Sequence, residues 1–229
     1  MRRRFLSNIN KSKYFTIEAM EDGLTVSLLQ NACEYCIDNG DWMDLRSGMS
    51  TPHVNKGQTL SFKGNLTPTE FIGIGTFTIS KKCNVSGNIM SLLFGDDFEG
   101  QTDLTGYDSA FNQLFYNCSN IIDASQLILP AITLAESCYY EMFRYCTSLT
   151  QAPVLPAITL AENCYCEMFS GCTKLNYIKA LFITVPSDYY TFNWVKGVSS
   201  KGTFVKSKYA TWDMTGTRGI PAGWTVQTV

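Results

Sequence analysis

AITLAESCYYEMFRYCTSL (residues 131–149) and AITLAENCYCEMFSGCTKL (residues 157–175) are nearly the same sentence written twice, 26 residues apart. Aligning 131–156 with 157–182 gives 15 identities in 26 positions. They include Cys138/Cys164, Tyr139/Tyr165, Met142/Met168, Phe143/Phe169 and Cys146/Cys172. Self-similarity at a period of 20–50 residues means stacked supersecondary units, and 20–29 is the leucine-rich-repeat range. One such unit cannot bury its apolar face alone, so each copy must offer its neighbour the same inward set.

Looser copies lie upstream. Leu114 to Pro130 aligns with Met142 to Pro156, and Cys118 precedes Cys146 by 28 residues. A further copy is expected in Asn88 to Phe98, with Leu93 and Phe94 at the places of Met142 and Phe143. Within a unit, Tyr139, Met142, Phe143 and Cys146 are spaced i, i+3, i+4, i+7, which predicts one face of a helix. Gly171 falls near its end, where a left-handed residue is tolerated. An extended piece follows, closed by Pro153 and Pro156. The stacked cysteines read as buried, small apolar side chains.

Turn signals separate short β-branched and aromatic runs over 14–80, predicting a small antiparallel sheet or sandwich. The expected organisation is a basic arm at 1–13, this β-sandwich-like domain at 14–80, a solenoid of three to four coils at 81–182, and a β-rich cap at 183–229. The fold class is therefore α+β, with a helix-and-strand solenoid between β-rich flanks.

The 229 residues carry a net charge of −2, with 45% hydrophobic and 17% charged residues. No overall field favours nucleic acid. Arg2, Arg3, Arg4, Lys11 and Lys13 precede any acid, which suits a solvated arm or one that docks on an acidic surface. No secretory h-region follows the basic start, and no run approaches the roughly 20 apolar residues of a membrane span. With nine cysteines, an odd count, and no export signal, reduced thiols are expected.

Motifs for chemistry are weak. Cys33 and Cys36 form a C-x-x-C, but on a strand i and i+3 face opposite ways. His53 is the only histidine, so Ser-His and Cys-His mechanisms have one candidate and no motif around it. Asp96, Asp97, Glu99 and Asp103 cluster in GDDFEGQTD, where calcium or glycoside chemistry competes with a solvated turn. GIGTFT (Gly73 to Thr78) lacks the third glycine of a phosphate loop. Trp42, Trp194, Trp212 and Trp224 are read as packing residues before sugar platforms. No cofactor, metal ligand or catalytic residue is assigned, and no enzyme activity is expected.

The residues 138–175, CYYEMFRYCTSLTQAPVLPAITLAENCYCEMFSGCTKL, resemble the BspA-like leucine-rich repeats common in gut bacteria and their phages, whose unit reads lPa-T-La-xx-CY-xx-MF-xx-CT-s-L-t-xaP. The likeness covers about 105–182. The ending GTFVK…TW…GIPAGWTV and the β region with NKGQTLSFKGN are similar to segments that flank such repeats. The resemblance implies a non-enzymatic adhesin-like module that binds a protein or glycan on a cell surface. A virion fibre or decoration protein, contacting neighbouring virion proteins, is the form favoured where no export signal is seen; a bacterial cell-surface adhesin is the alternative. A homo-oligomer is a further partner state to test. The positions that differ between copies are the expected binding residues: Arg144, Tyr145, Ser148, Gln151, Ser170, Lys174 and Tyr177.

Overall fold

The computed structural model describes residues 13–64, 76–185, 187 and 189–229. The basic arm up to residue 12 and the glycines of 73–75 lie outside the described residues. Among the described residues there are twelve strands: β1 Phe15–Ala19, β2 Val26–Leu28, β3 Ala32–Ile37, β4 Met43–Arg46, β5 Thr59–Lys63, β6 Phe77–Ile79, β7 Cys83–Asn88, β8 Ile121–Ile128, β9 Gln151–Leu155, β10 Tyr177–Ala180, β11 Thr203–Lys206 and β12 Thr225–Thr228. Ten form one sheet in the order β12-β11-β10-β9-β8-β7-β1-β5-β3-β4; β2 and β6 pair separately. From β7 to β12 every neighbour is parallel and next in sequence, which is the signature of a β-solenoid.

The expected helix is not formed. Among the described residues helical structure beyond Lys13 is a four-residue α1, Ser91–Phe94, and a 3-10 turn, Gly95–Asp97. Residues 135–146 instead make a ribbon of overlapping turns. The N–H groups of Cys138, Tyr140, Met142, Arg144 and Cys146 each donate to the carbonyl three residues back. The alternate N–H groups, of Ser137, Tyr139, Glu141, Phe143 and Tyr145, cross to carbonyls of the next coil at Glu162, Cys164, Cys166, Met168 and Ser170. Every backbone donor from 137 to 146 therefore has a partner.

The ribbon needs a left-handed residue every fourth position. Ser137, Glu141 and Tyr145 have φ of 54°, 51° and 62°; Asn163, Glu167 and Gly171 repeat this one coil on at 53°, 51° and 78°. A non-glycine residue there costs roughly 1–2 kcal/mol, which the inter-coil hydrogen bonds and packing must offset. Gly171 has a second reason to lack a side chain: a Cβ would run into the Tyr145 ring lying over it.

The reason the spacing misled is geometric. Cys138, Tyr139, Met142, Phe143 and Cys146 are all buried. At 3.6 residues per turn they span one helix face; at 4.0 they form two straight columns. Nine residues are too few to separate those periods. The columns stack: Phe111, Tyr139 and Tyr165 lie at 5.6 and 5.9 Å between successive ring centroids, with nearly parallel planes. Phe115, Phe143 and Phe169 follow at 5.1 and 5.8 Å. Each buried thiol in the cysteine column donates across a coil boundary: Cys118 to Phe77 O at 2.9 Å, Cys146 to Phe115 O at 3.1 Å and Cys172 to Phe143 O at 3.0 Å. All nine cysteines are free and buried.

The flanks continue these two layers. At the N-terminal side the sheet layer passes from β7 into antiparallel β1, β5, β3 and β4. The ribbon layer passes into β6, whose Phe77 N–H donates to Leu114 O, and then β2. Phe15, Phe62, Phe77 and Phe115 pack together at this junction. The N-terminal region, expected as a small antiparallel sheet or sandwich, is instead the antiparallel end of one long sheet, with a two-stranded second layer. Gly87 permits the crossing of β1 and β7, because a Cβ there would overlap the Tyr14 carbonyl. Toward the C-terminus, residues 189–198 form a further ribbon in the same register: Glu167 and Phe169 N–H donate to Phe192 and Trp194 carbonyls. Asn193 and Gly197 hold the positive φ positions. The segment 183–229 therefore carries another coil as well as a closing loop, in which Trp194 Nε1 donates to Gly219 O at 2.9 Å.

Candidate functional site

The seven positions that vary between copies divide into two groups. Arg144 and Ser170 belong to the frame. Arg144 lies between two glutamates of adjacent coils, ion-paired with Glu141 and, at 2.8 Å, with Glu167. Glu141 is almost fully buried and accepts from Gln113 Nε2 at 2.6 Å. Stacked carboxylates at one register would repel, so the guanidinium between them is what allows glutamate at both left-handed positions. Ser170 is buried, contrary to its expected exposure, and its carbonyl accepts from the Tyr145 N–H of the preceding coil.

Tyr145, Ser148, Gln151, Lys174 and Tyr177 come together on the corner where ribbon turns into strand. Tyr145 is exposed, packs edge-on to Tyr116 at 5.8 Å and sits beneath the Arg144 guanidinium. Gly171 and Gly197 succeed it along the solenoid, leaving a step beside the tyrosine ring. Ser148 accepts from Lys82 Nζ at 2.8 Å. Gln151 and Tyr177 are paired in register on β9 and β10, in a row that runs from Asp123 through both to Thr203 and Thr225. The surface so formed mixes tyrosine rings, hydroxyls, amide and both signs of charge. It can stack against and hydrogen-bond to a polar ligand.

The residues weighed for chemistry are held apart by other duties. Asp96 pairs with Lys63 Nζ at 3.0 Å and accepts from Tyr14 Oη at 2.8 Å. Glu99 pairs with Lys13 at 3.0 Å. The Asp103 carboxylate accepts from the Thr105 hydroxyl and N–H, bonds that hold it below the usual carboxylate range. Among the described residues no three or more of His, Cys, Asp and Glu converge as a metal site would require. Cys33 and Cys36 lie on strand β3, and burial pushes the Cys33 thiol up to about 12. His53 Nδ1 lies 3.1 Å from the Gly23 carbonyl in an exposed loop. Trp212 and Trp224 donate to Phe182 O and Ser199 O, and Trp42 packs against Tyr14 beneath Lys63. No helix among the described residues is long and apolar enough to cross a membrane.

Sequence reasoning missed the opposite corner, where strand turns into ribbon. Ile128, Ile132 and Ile158 are 52%, 56% and 55% exposed, and Val154 joins them at 38%. A groove of about 390 Å³ runs between Ile132, Thr133, Leu134 and Ile158, Thr159, Leu160. The signal for it is the twice-repeated PAITLAE.

Fold and surface together define a β-solenoid with one polar-aromatic corner and one aliphatic corner. Comparison with protein-family models, with curated proteins and with solved structures finds no match.

Proposed function

We propose that the chain is a non-enzymatic binding module that attaches to a protein or glycan at a surface through the ribbon-to-strand corner. One observation carries the reading: Tyr145, Ser148, Gln151, Lys174 and Tyr177, which differ between copies, share one accessible corner while the stacked positions beneath them stay the same. A constant frame with variable exposed side chains is the arrangement by which solenoids bind. The likeness of residues 138–175 to BspA-like repeats supports an adhesin-type role. Within it, a virion fibre or decoration protein is the first form and a bacterial cell-surface adhesin the second.

The test is binding of labelled full-length protein to intact gut bacterial cells, with and without their surface polysaccharide. Saturable binding is expected. Replacing Tyr145, Lys174 and Tyr177 with alanine together weakens it at least tenfold, as removal of an aromatic-centred hot spot does. Loss on stripping assigns a glycan, and retention assigns a protein. Saturable binding that the triple variant leaves unchanged would overturn the assignment of this corner; no binding to any cells would overturn cell attachment.

A further inference from the structure

We propose that strand β12 is an open edge on which a second copy of this chain pairs, antiparallel, about a two-fold axis through Gln227. This goes beyond the binding corner and does not depend on it.

The two layers of the solenoid end differently. The ribbon layer is closed by the loop before β12. Trp194 Nε1 donates to Gly219 O at 2.9 Å, Thr191 Oγ1 donates to Arg218 O at 2.8 Å, and the Arg218 guanidinium lies 5.0 Å from the centre of the Phe192 ring. The sheet layer stops at β12, whose four residues are all exposed. The register places Val226 beside Phe204, and Phe204 beside Ile178. Ile178 and Phe204 are fully buried, while Val226, next in their row, is 45% exposed. Among the described residues no further strand covers it.

The backbone of β12 is half used. The Thr225 and Val229 N–H groups donate to Gly202 O and Lys206 O, and the Val229 carbonyl accepts from the Lys208 N–H. In a parallel ladder of this register alternate residues bond to the same neighbour, so Gln227 turns to β11 as well. Val226 and Thr228 then direct N–H and C=O outward. Unpaired groups of this kind are a template for another strand, and native edges are blunted with charge, proline or a bulge. The far edge of the same sheet is defended in that way: β4 carries Asp44 and Arg46, both exposed and ion-paired at 2.8 Å. Residues 225–229, TVQTV, contain neither charge nor proline, and β12 pairs with β11 without a register shift.

The edge fits its own copy. With the two Gln227 residues opposite each other, Thr225 of each copy faces Val229 of the other, and Val226 faces Thr228. A β-branched residue then meets a β-branched residue at every flanking place, a favourable cross-strand pairing. In this register Val226 and Thr228 form the hydrogen-bonded pairs, so both outward residues of each copy are satisfied. Centring the axis on Val226 would bond that residue alone to its mate. A two-fold contact closes on itself, whereas β12 added to β4 would propagate. The pair carries two polar-aromatic corners, so a surface that holds many ligands is gripped at two points.

Sedimentation of the full chain, read from low- to high-micromolar concentration, tests the pairing. A monomer–dimer equilibrium is expected. Gln227→Lys sets two like charges directly opposite each other and changes only an exposed side chain. Val226→Pro removes an outward N–H and no inward one. Each is expected to weaken the dimer about tenfold. The nine native thiols are buried, so an engineered cysteine on β12 is the site of any crosslink. The opposed Gln227 residues form a non-hydrogen-bonded pair with Cα atoms about 4.5 Å apart, within disulfide reach. Under mild oxidation Gln227→Cys is expected to link two copies, Thr225→Cys alone to link none, and Thr225→Cys mixed with Val229→Cys to link one of each. A monomer at every concentration would overturn the proposal, and so would a dimer that Gln227→Lys leaves intact. Growth beyond two copies would overturn it in favour of β12 adding to β4 of the next copy.

Discussion

Raising the pH from 8 to 11 unfolds this protein in one cooperative step centred near pH ~10, the range in which exposed thiols ionise and buried ones do not. Burial pushes the thiols of Cys33, Cys118 and Cys164 up to about 12 and that of Cys166 up to about 11, from 9.0. Burial raises Cys83, Cys138, Cys146 and Cys172 as well. The folded chain thus holds protons that the unfolded chain releases between about 9 and 12. Stability is complete below the unfolded value and falls as pH rises through that window. Each thiol loses about 1.4 kcal/mol per pH unit. The losses of the buried thiols add, so stability falls more steeply than any one of them would make it fall. Circular dichroism and thiolate absorbance, followed together, are expected to change in the same step. Thiolate appearing near pH 9 in a chain that stays folded to pH 11 would show that the cysteine columns are not buried as described.

The second large effect is at Arg144. Replacing it with methionine keeps the packing volume but leaves Glu141 and Glu167 facing each other across a coil boundary without their cation. The Glu141 side chain is 7% exposed and the Glu167 side chain 16%. Removing one partner of a buried ion pair costs about 3–5 kcal/mol, most of it from the charge left behind. Arg144→Met is therefore expected to lower the unfolding free energy by about 3 kcal/mol, and Glu141→Gln in the same chain to recover roughly half. Urea denaturation of the single and double variants reads both. A loss under about 1 kcal/mol would place Arg144 among ordinary exposed ion pairs, and so back among the residues free to bind a ligand.

The stacking was legible in the sequence because the inward set is nearly identical in two copies: a buried Cys, Tyr, Met, Phe and Cys must meet their like. The ribbon was not, because period 4.0 and period 3.6 agree over the nine residues from Cys138 to Cys146. A positive φ leaves little mark when serine, glutamate and tyrosine carry it; Gly171 and Gly197, 26 residues apart, and the asparagines Asn163 and Asn193 are the hints. The last ribbon was hidden by exchange of bulk between positions. Thr191 and Trp194 stand where Tyr165 and Met168 stand one coil earlier, so the pair still fills its layer while neither residue matches. Of the candidate site, exposure of Tyr145, Gln151 and Lys174 followed from their variation between copies. Variation did not separate them from Arg144, whose partners lie 3 residues before it and 23 after it, in two different coils. Nor could periodicity place Ile132 and Ile158 outside, since an aliphatic residue in a repeat reads as core unless its neighbours are known.

The left-handed step is the feature from which the rest of the fold follows: it turns alternate N–H groups toward the next coil and sets the columns of rings and thiols. The direct measurement is φ in solution, from NMR couplings and ¹³C shifts, at Ser137, Glu141, Tyr145, Asn163 and Glu167. Positive φ at each of the five, with negative φ at the three residues between successive ones of each ribbon, is the predicted result. Uniformly negative φ from 137 to 146, with amides bonded four residues back as in a helix, would contradict it.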